Sequence, residues 1–128
     1  MKTVYLLIPI FMVLSCKKEK SKTEMLTAKP WKMTGFTVNG QDYYTSYRDC
    51  DKDNLSIFKS DGKYIHEYLV LCDSTQAPTS TGTWSFADDE TKLLISSLPH
   101  LLIQISPAEL TLERTDGNET KRFVYSAQ

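Results

Sequence analysis

The sequence predicts an all-β fold: an antiparallel up-and-down β-barrel of eight to nine short strands, preceded by a short helical turn. Three observations carry this. Turn-forming pairs recur beyond position 30, at Asn39-Gly40, Asp61-Gly62, Asp88-Asp89, Leu98-Pro99, Ser106-Pro107 and Asp116-Gly117. The Asn-Gly and Asp-Gly pairs among them suit the left-handed backbone of tight hairpins. Several segments between the turns alternate in the period-2 manner of strands with one buried face. Connections this short leave no room for crossover helices, so neighbouring strands run antiparallel.

Taken in chain order, residues 23–29 predict one or two helical turns, capped by Thr23 and stopped by Pro30. Strands are expected at 31–38, 41–47, 54–59, 63–71, 81–87, 91–96, 101–105, 109–114 and 120–126. Gly82, Trp84 and Phe86 share one face and Thr83 and Ser85 the other. Leu93 and Ile95 oppose Lys92 and Leu94; Leu101, Ile103 and Ile105 oppose Leu102 and Gln104; Leu110 and Leu112 oppose Glu109, Thr111 and Glu113. In 54–59, Leu55 and Ile57 oppose Phe58 with no clear polar side. Closure into a barrel removes the two exposed edges such a meander would carry, and a two-sheet sandwich is the alternative.

The composition fits one globular domain: 128 residues, 41% hydrophobic and 24% charged. With 15 basic against 16 acidic residues, a strongly basic nucleic-acid binder is excluded as the default. Residues 1–15 are read as a signal peptide, 16–24 as a flexible basic tether and 25–128 as the barrel domain. Lys2 precedes an apolar run from Val4 to Leu14, the layout of a secretory signal. As a helix that run spans about 16 Å, about half of a bilayer core. At its end, Val13-Leu14-Ser15-Cys16 resembles the lipobox of bacterial lipoproteins. The resemblance implies a lipid on the Cys16 sulfur, cleavage after Ser15 and acylation of the new amino terminus by a palmitate-type chain, which anchors the domain to a membrane.

With Cys16 lipidated, Cys50 and Cys72 remain as an even pair in an oxidising compartment, and a disulfide is expected. Buried free thiols are the alternative; zinc is disfavoured because neither Cys lies in a Cys-x-x-Cys pair. The tether from Lys17 to Glu24 holds four Lys against two Glu, a net of +2, while 25–128 nets −4. A basic tether suits an anionic membrane surface. The lipoprotein resemblance further implies the outer membrane, facing either the periplasm or the outside, because Lys17 after the lipidated Cys is not the acidic residue of inner-membrane retention.

The body has a resemblance of its own. In order, it carries Pro30-Trp31-Lys32-Met33, Cys50-Asp51-Lys52-Asp53-Asn54, Ile57-Phe58-Lys59-Ser60-Asp61-Gly62-Lys63-Tyr64, Cys72-Asp73, Gly82-Thr83-Trp84-Ser85-Phe86, Leu93-Leu94-Ile95, Ile105-Ser106 and Leu110-Thr111-Leu112. This set resembles the small lipocalin-like domains of bacterial lipoproteins, over about residues 25–126. The resemblance implies an up-and-down barrel whose cup can hold an apolar ligand, without catalysis. Lys29-Pro30-Trp31 stands where lipocalins have Gly-x-Trp, a departure that weakens the link to the large lipocalins and their ligands. An eight-stranded barrel is also narrow enough for side chains to fill it.

No enzymatic constellation stands out. Gly-x-Ser-x-Gly, phosphate-binding Gly loops and His-Glu-x-x-His are absent, and no cofactor is expected. His66 and Glu67, adjacent on a strand, point to opposite faces, and His100 is placed in a turn after Pro99. Asp49, Asp51 and Asp53 mimic a calcium loop, but Asn54 takes the Gly position and Ser60 the final Glu position, so a solvated acidic loop is the better reading. Asp88-Asp89-Glu90 reads as a solvated turn; Asp73-Ser74-Thr75 and Asn118-Glu119-Thr120 match short glycosylation patterns that arise by chance. The candidate ligand walls are Trp31, Met33, Tyr64, Tyr68, Trp84 and Phe86, with core packing as the competing role. The alternative function is a filled barrel that docks an envelope protein or glycan through Tyr43, Tyr44 and Tyr47.

Overall fold

A computed structural model describes residues 18–128; the signal segment and Cys16 lie outside the described residues. The chain begins with α1 (Lys22–Thr27) and β1 (Trp31–Val38). Next come a two-residue strand β2 (Gln41–Asp42), a 3-10 turn at Tyr44–Ser46 and the short helix α2 (Asp49–Lys52). Seven strands complete it: β3 (Leu55–Phe58), β4 (Lys63–Glu67), β5 (Thr79–Ala87), β6 (Lys92–Ile95), β7 (Leu98–Ile105), β8 (Glu109–Asp116) and β9 (Glu119–Ala127). From β3 to β9 each strand pairs antiparallel with the next, and β9 returns to β1 from Trp31↔Ala127 to Val38↔Lys121. The result is a closed eight-stranded up-and-down barrel in sequential order, with β2 as a small flap outside the count.

The registers give the barrel a floor and a mouth. At the floor lie α1, the turns after β3, β5 and β7, and the two chain ends of the barrel. Leu26 of α1 is fully buried there, the Trp31 indole N–H donates to its carbonyl at 2.9 Å, and Lys22 Nζ donates to the Glu90 carbonyl at 3.1 Å. The helix cap is Ser21, not Thr23: the Ser21 hydroxyl accepts from the Glu24 N–H at 3.1 Å, in the Ser-x-x-Glu spacing of a capping box. At this floor end, Trp31, Phe58, Trp84, Leu93, Leu110 and Leu112 join Leu26 in the buried core.

Four further sequence expectations are corrected. Strand 41–47 stops at Asp42, whose carboxylate accepts from the Tyr44 N–H at 2.8 Å and starts the 3-10 turn. Strand 63–71 stops at Glu67, leaving Leu69, Val70 and Leu71 exposed on a loop. Leu98-Pro99 is strand, and the β6–β7 turn falls on Ser96 and Ser97, two serines at φ +50° and +67°; His100 is therefore a buried strand residue. Finally, a bulge between Leu102 and Gln104 breaks the alternation of β7. Leu102 and Ile105 pack on the core, while Leu101 and Ile103 face out. The unresolved faces of 54–59 settle with Ser56 and Phe58 inward.

Candidate functional site

β1 meets β3 only at Trp31↔Ser56 and Lys32↔Leu55, then diverges and meets β2 at Thr37↔Asp42. Between these two contacts the barrel wall has a seam, and the chain from β2 to β3 crosses it. α2 lies there as a lid. Cys50 of α2 is disulfide-bonded to Cys72 of the β4–β5 loop, with Cα atoms 5.4 Å apart, so the expected disulfide ties two mouth loops together. Helical backbone also disposes of the calcium-loop resemblance. Asp49, Asp51 and Asp53 pair instead with Lys52 (3.9 Å), Arg48 (2.9 Å) and Lys32 (3.2 Å). Asp51 lies close to both cysteine sulfurs, but a disulfide offers no thiolate to a metal.

Beneath the lid is a cavity of about 90 Å³ lined by Met33, Asp51, Asn54, Ser56, Tyr64, His66 and Tyr125. It has room for about three water molecules at ~30 Å³ each, well short of the roughly 300–1,000 Å³ of pockets that enclose drug-sized ligands. The Tyr64 hydroxyl lies 3.1 Å from Ser56 Oγ on β3 and 3.4 Å from His66 Nδ1 on its own strand β4. Burial raises the pKa of Tyr64 and Tyr125 and lowers that of His66. All three are neutral at pH 7, and Asp51 brings the one charge among the lining residues.

One acceptor among the lining residues lacks a donor. Asn54 Oδ1 is buried with no hydrogen-bond partner, which costs on the order of 1–3 kcal/mol. Asp51 Oδ2 is taken by Arg48, while Oδ1 sits 3.3 Å from Cys72 Sγ. A disulfide sulfur carries no hydrogen, so that contact donates nothing, and the Asp51 carboxylate, its side chain 36% exposed, is open to solvent instead.

The sequence-derived ligand walls divide between two places. Trp31, Trp84 and Phe86 belong to the floor: Trp31 is fully buried, the Trp84 indole N–H donates to the Lys59 carbonyl at 2.7 Å, and Phe86 packs edge-on against Trp84 at 5.6 Å. Met33 and Tyr64 line the cavity. Tyr68 stands behind it, edge-on to His66 at 4.7 Å. The Tyr43–Tyr47 cluster splits as well: Tyr43 is exposed, whereas Tyr47 stacks on Phe36 at 5.7 Å. Sequence reasoning missed Asp51, Asn54, Ser56, His66 and Tyr125 as one group. Alternation does put His66 on the face of Tyr64 and Tyr68, so one of the five had a signal.

Larger depressions lie outside the barrel, on both sides of the exposed Glu113–Arg122 ion pair (2.9 Å). They are open wall between surface side chains. What fold and site define together is a small closed β-barrel, packed at one end and hollow under a disulfide-tied lid at the other. No protein-family model matches the chain, and no curated protein shows significant similarity to it.

Proposed function

We propose that this protein is a lipid-anchored, non-catalytic lipoprotein of the bacterial cell envelope, placed in the outer membrane. Its lipocalin-like barrel binds a small hydrophobic or amphipathic ligand at the mouth. The observation that carries the ligand reading is the cavity under the lid, lined by the polar side chains of Asp51, Asn54, Ser56 and His66 together with Met33 and two tyrosines. A molecule larger than the cavity places only its polar end there and leaves by the seam. The anchor reading rests on the lipobox-like segment ending at Cys16. It is supported by the docking of α1 on the floor, which sends the tether out at the end opposite the mouth.

Native mass spectrometry of the secreted protein tests the carrier role. A co-purifying mass of a few hundred daltons, lost on denaturation, is the expected result. A bare protein mass, even after incubation with envelope lipid extract, counts against it. That outcome favours the filled-barrel interaction module, for which the exposed Leu69, Val70, Leu71 and Tyr43 near the mouth speak. For the anchor, Cys16→Ala is expected to release the protein from the membrane fraction; retention at wild-type level refutes lipidation at this residue.

A further inference from the structure

The geometry points to the mouth-side part of β5 as a docking edge for an extended segment of a partner polypeptide, which adds antiparallel in the lane above β6. This surface lies apart from the cavity under α2 and does not depend on it. β6 pairs only with the lower part of β5, from Trp84↔Ile95 to Ala87↔Lys92. β4 pairs with the upper part, from Lys63↔Thr83 to Glu67↔Thr79. The chain leaves β6 at Ser96, whose N–H donates to the Thr83 carbonyl at 2.7 Å. Beyond that bond, among the described residues, no strand lies on this side of β5. Backbone direction fixes which groups are left over. The Trp84 N–H donates to Gly62 and the Pro78 carbonyl accepts from Tyr68, both at 2.9 Å, so the even-numbered residues of β5 bond toward β4. The odd-numbered ones turn the other way. Thr79 and Thr81, both exposed, thus present two N–H donors and two carbonyl acceptors to an empty lane.

These groups define their occupant. Donors and acceptors alternating along one line at strand spacing match extended backbone, as in recognition by β-strand addition. The stretch Thr79-Ser80-Thr81 carries no charge, proline or bulge, the devices that guard an edge against pairing. Side chains then set the character of the partner, because residues directly opposite one another share a face. Thr79 and Thr81 point outward, where polar neighbours suit them. Ser80 points inward with Trp84, small and exposed, while Ser96 fills the space beside Gly82 and ends the lane. At the tip of the adjoining β6–β7 hairpin, Leu98 faces inward like its register partner Ile95, yet it is 52% exposed. An apolar side chain opposite Ser80 extends this inner surface and shields Leu98. The partner segment therefore alternates polar and apolar residues. A second folded copy of the barrel is disfavoured by area: a standard interface buries about 1,200–2,000 Å², and so short an edge supplies little of it.

The test is an NMR titration of the full-length, disulfide-bonded protein in detergent with the peptide acetyl-Lys-Thr-Leu-Thr-Leu-Thr-Lys-amide. Opposite Thr81 this peptide places a threonine whose N–H points at β5, while its leucine N–H groups point away. N-methylation of the threonine amides should weaken binding by about tenfold or more, and N-methylation of the leucine amides should leave it unchanged. We expect saturable shifts confined to Thr79–Gly82 and Ser96–Leu98, with slower exchange of the Thr79 and Thr81 amides. Thr81→Pro deletes one of the free donors at an edge, where proline is tolerated, and should abolish binding with the fold intact by circular dichroism. The methylated pair needs no variant, so it decides even where Thr81→Pro fails to fold. Equal affinity of the two methylated peptides, binding retained in folded Thr81→Pro, or shifts centred elsewhere overturn the assignment. Silence from the parent peptide at millimolar concentration overturns it too. A dimer in sedimentation equilibrium that Thr81→Pro dissociates also overturns it, and gives the edge to a second copy instead.

Discussion

His66 and His100 both face the barrel interior, and burial holds each imidazole below the ordinary histidine range. An unfolded histidine takes up its proton near pH 6.5, whereas these two remain neutral to lower pH. As pH falls through 6.5 the unfolded chain therefore binds more protons, and stability falls with it. The carboxyls of Asp73 and Asp116 are held below the usual range by bonds from Thr75 and from Lys121 and Arg114; their contribution is lost only at lower pH, below about 4. Melting temperature should thus drop between pH 7.5 and 5, and a His66→Gln/His100→Gln double variant should flatten that drop. A wild-type profile flat over this range would contradict the burial argument.

Two other residues tie a side chain to the fold directly. A Cβ on Gly82 would collide with the Ser96 side chain, and Ser96 is pinned in the left-handed turn between β6 and β7. Gly82→Ala is expected to destabilise by about 1–3 kcal/mol, as overpacking does, measured by urea unfolding. Trp84 closes the floor between Phe58 (6.0 Å) and Phe86 and is 9% exposed. Trp84→Ala should cost roughly 3–5 kcal/mol. Retention of wild-type stability with loss of ligand would instead make Trp84 a cup wall.

At the scale of elements, the lid is the feature that behaves differently from the strands. α2 has four residues, its cap residue Arg48 makes no side-chain cap bond, and it is held to the barrel by the disulfide and, just past its end, by the Asp53–Lys32 ion pair to β1. An isolated helix of that length does not persist in water. Replacing both Cys50 and Cys72 by serine should lower stability by about 3 kcal/mol in the chain-entropy model. It should also raise amide exchange in α2 and the β4–β5 loop ahead of β8 and β9. Uniform loss of protection across the barrel would show that the disulfide supports the fold as a whole rather than the lid. The β1–β2 and β8–β9 hairpins brace each other in a different way. Asn39 takes the left-handed backbone at φ +50°, donates its N–H to the Thr120 carbonyl and accepts the Thr120 N–H on its side chain, both at 2.9 Å.

For the whole molecule, closure of β1 onto β9 leaves no long edge free, and the short β2 covers part of the seam where β1 and β3 part. The barrel is too narrow to be hollow throughout: tryptophan, phenylalanine and leucine fill the floor half, and polar groups line the small space near the lid. Most strands were legible because turn pairs and alternation are local properties of the chain. Trp84, Leu93, Leu110 and Leu112 face inward as their alternation requires. The failures have local causes too. Two serines made a turn without Gly or Pro, a bulge inverted the outward side of β7, and an aspartate carboxylate started a 3-10 turn where a strand was expected.

Half of the candidate ligand walls proved to be floor for a reason alternation cannot reveal. Period 2 tells which side chains point inward, not how far up the barrel axis they stand, because that height depends on register and strand tilt summed around the closed sheet. By itself the sequence determined the strand class, the antiparallel order, the pairing of two cysteines and the inward face of most strands. Each follows from neighbours a few residues apart or from parity. Only the tertiary structure decided that Met33, Asp51, Asn54, Ser56, Tyr64, His66 and Tyr125 share one cavity. Those residues come from four strands and the β2–β3 connection, and only closure of the barrel, with the lid drawn over the seam by Cys50 and Cys72, brings them within reach of a single small molecule.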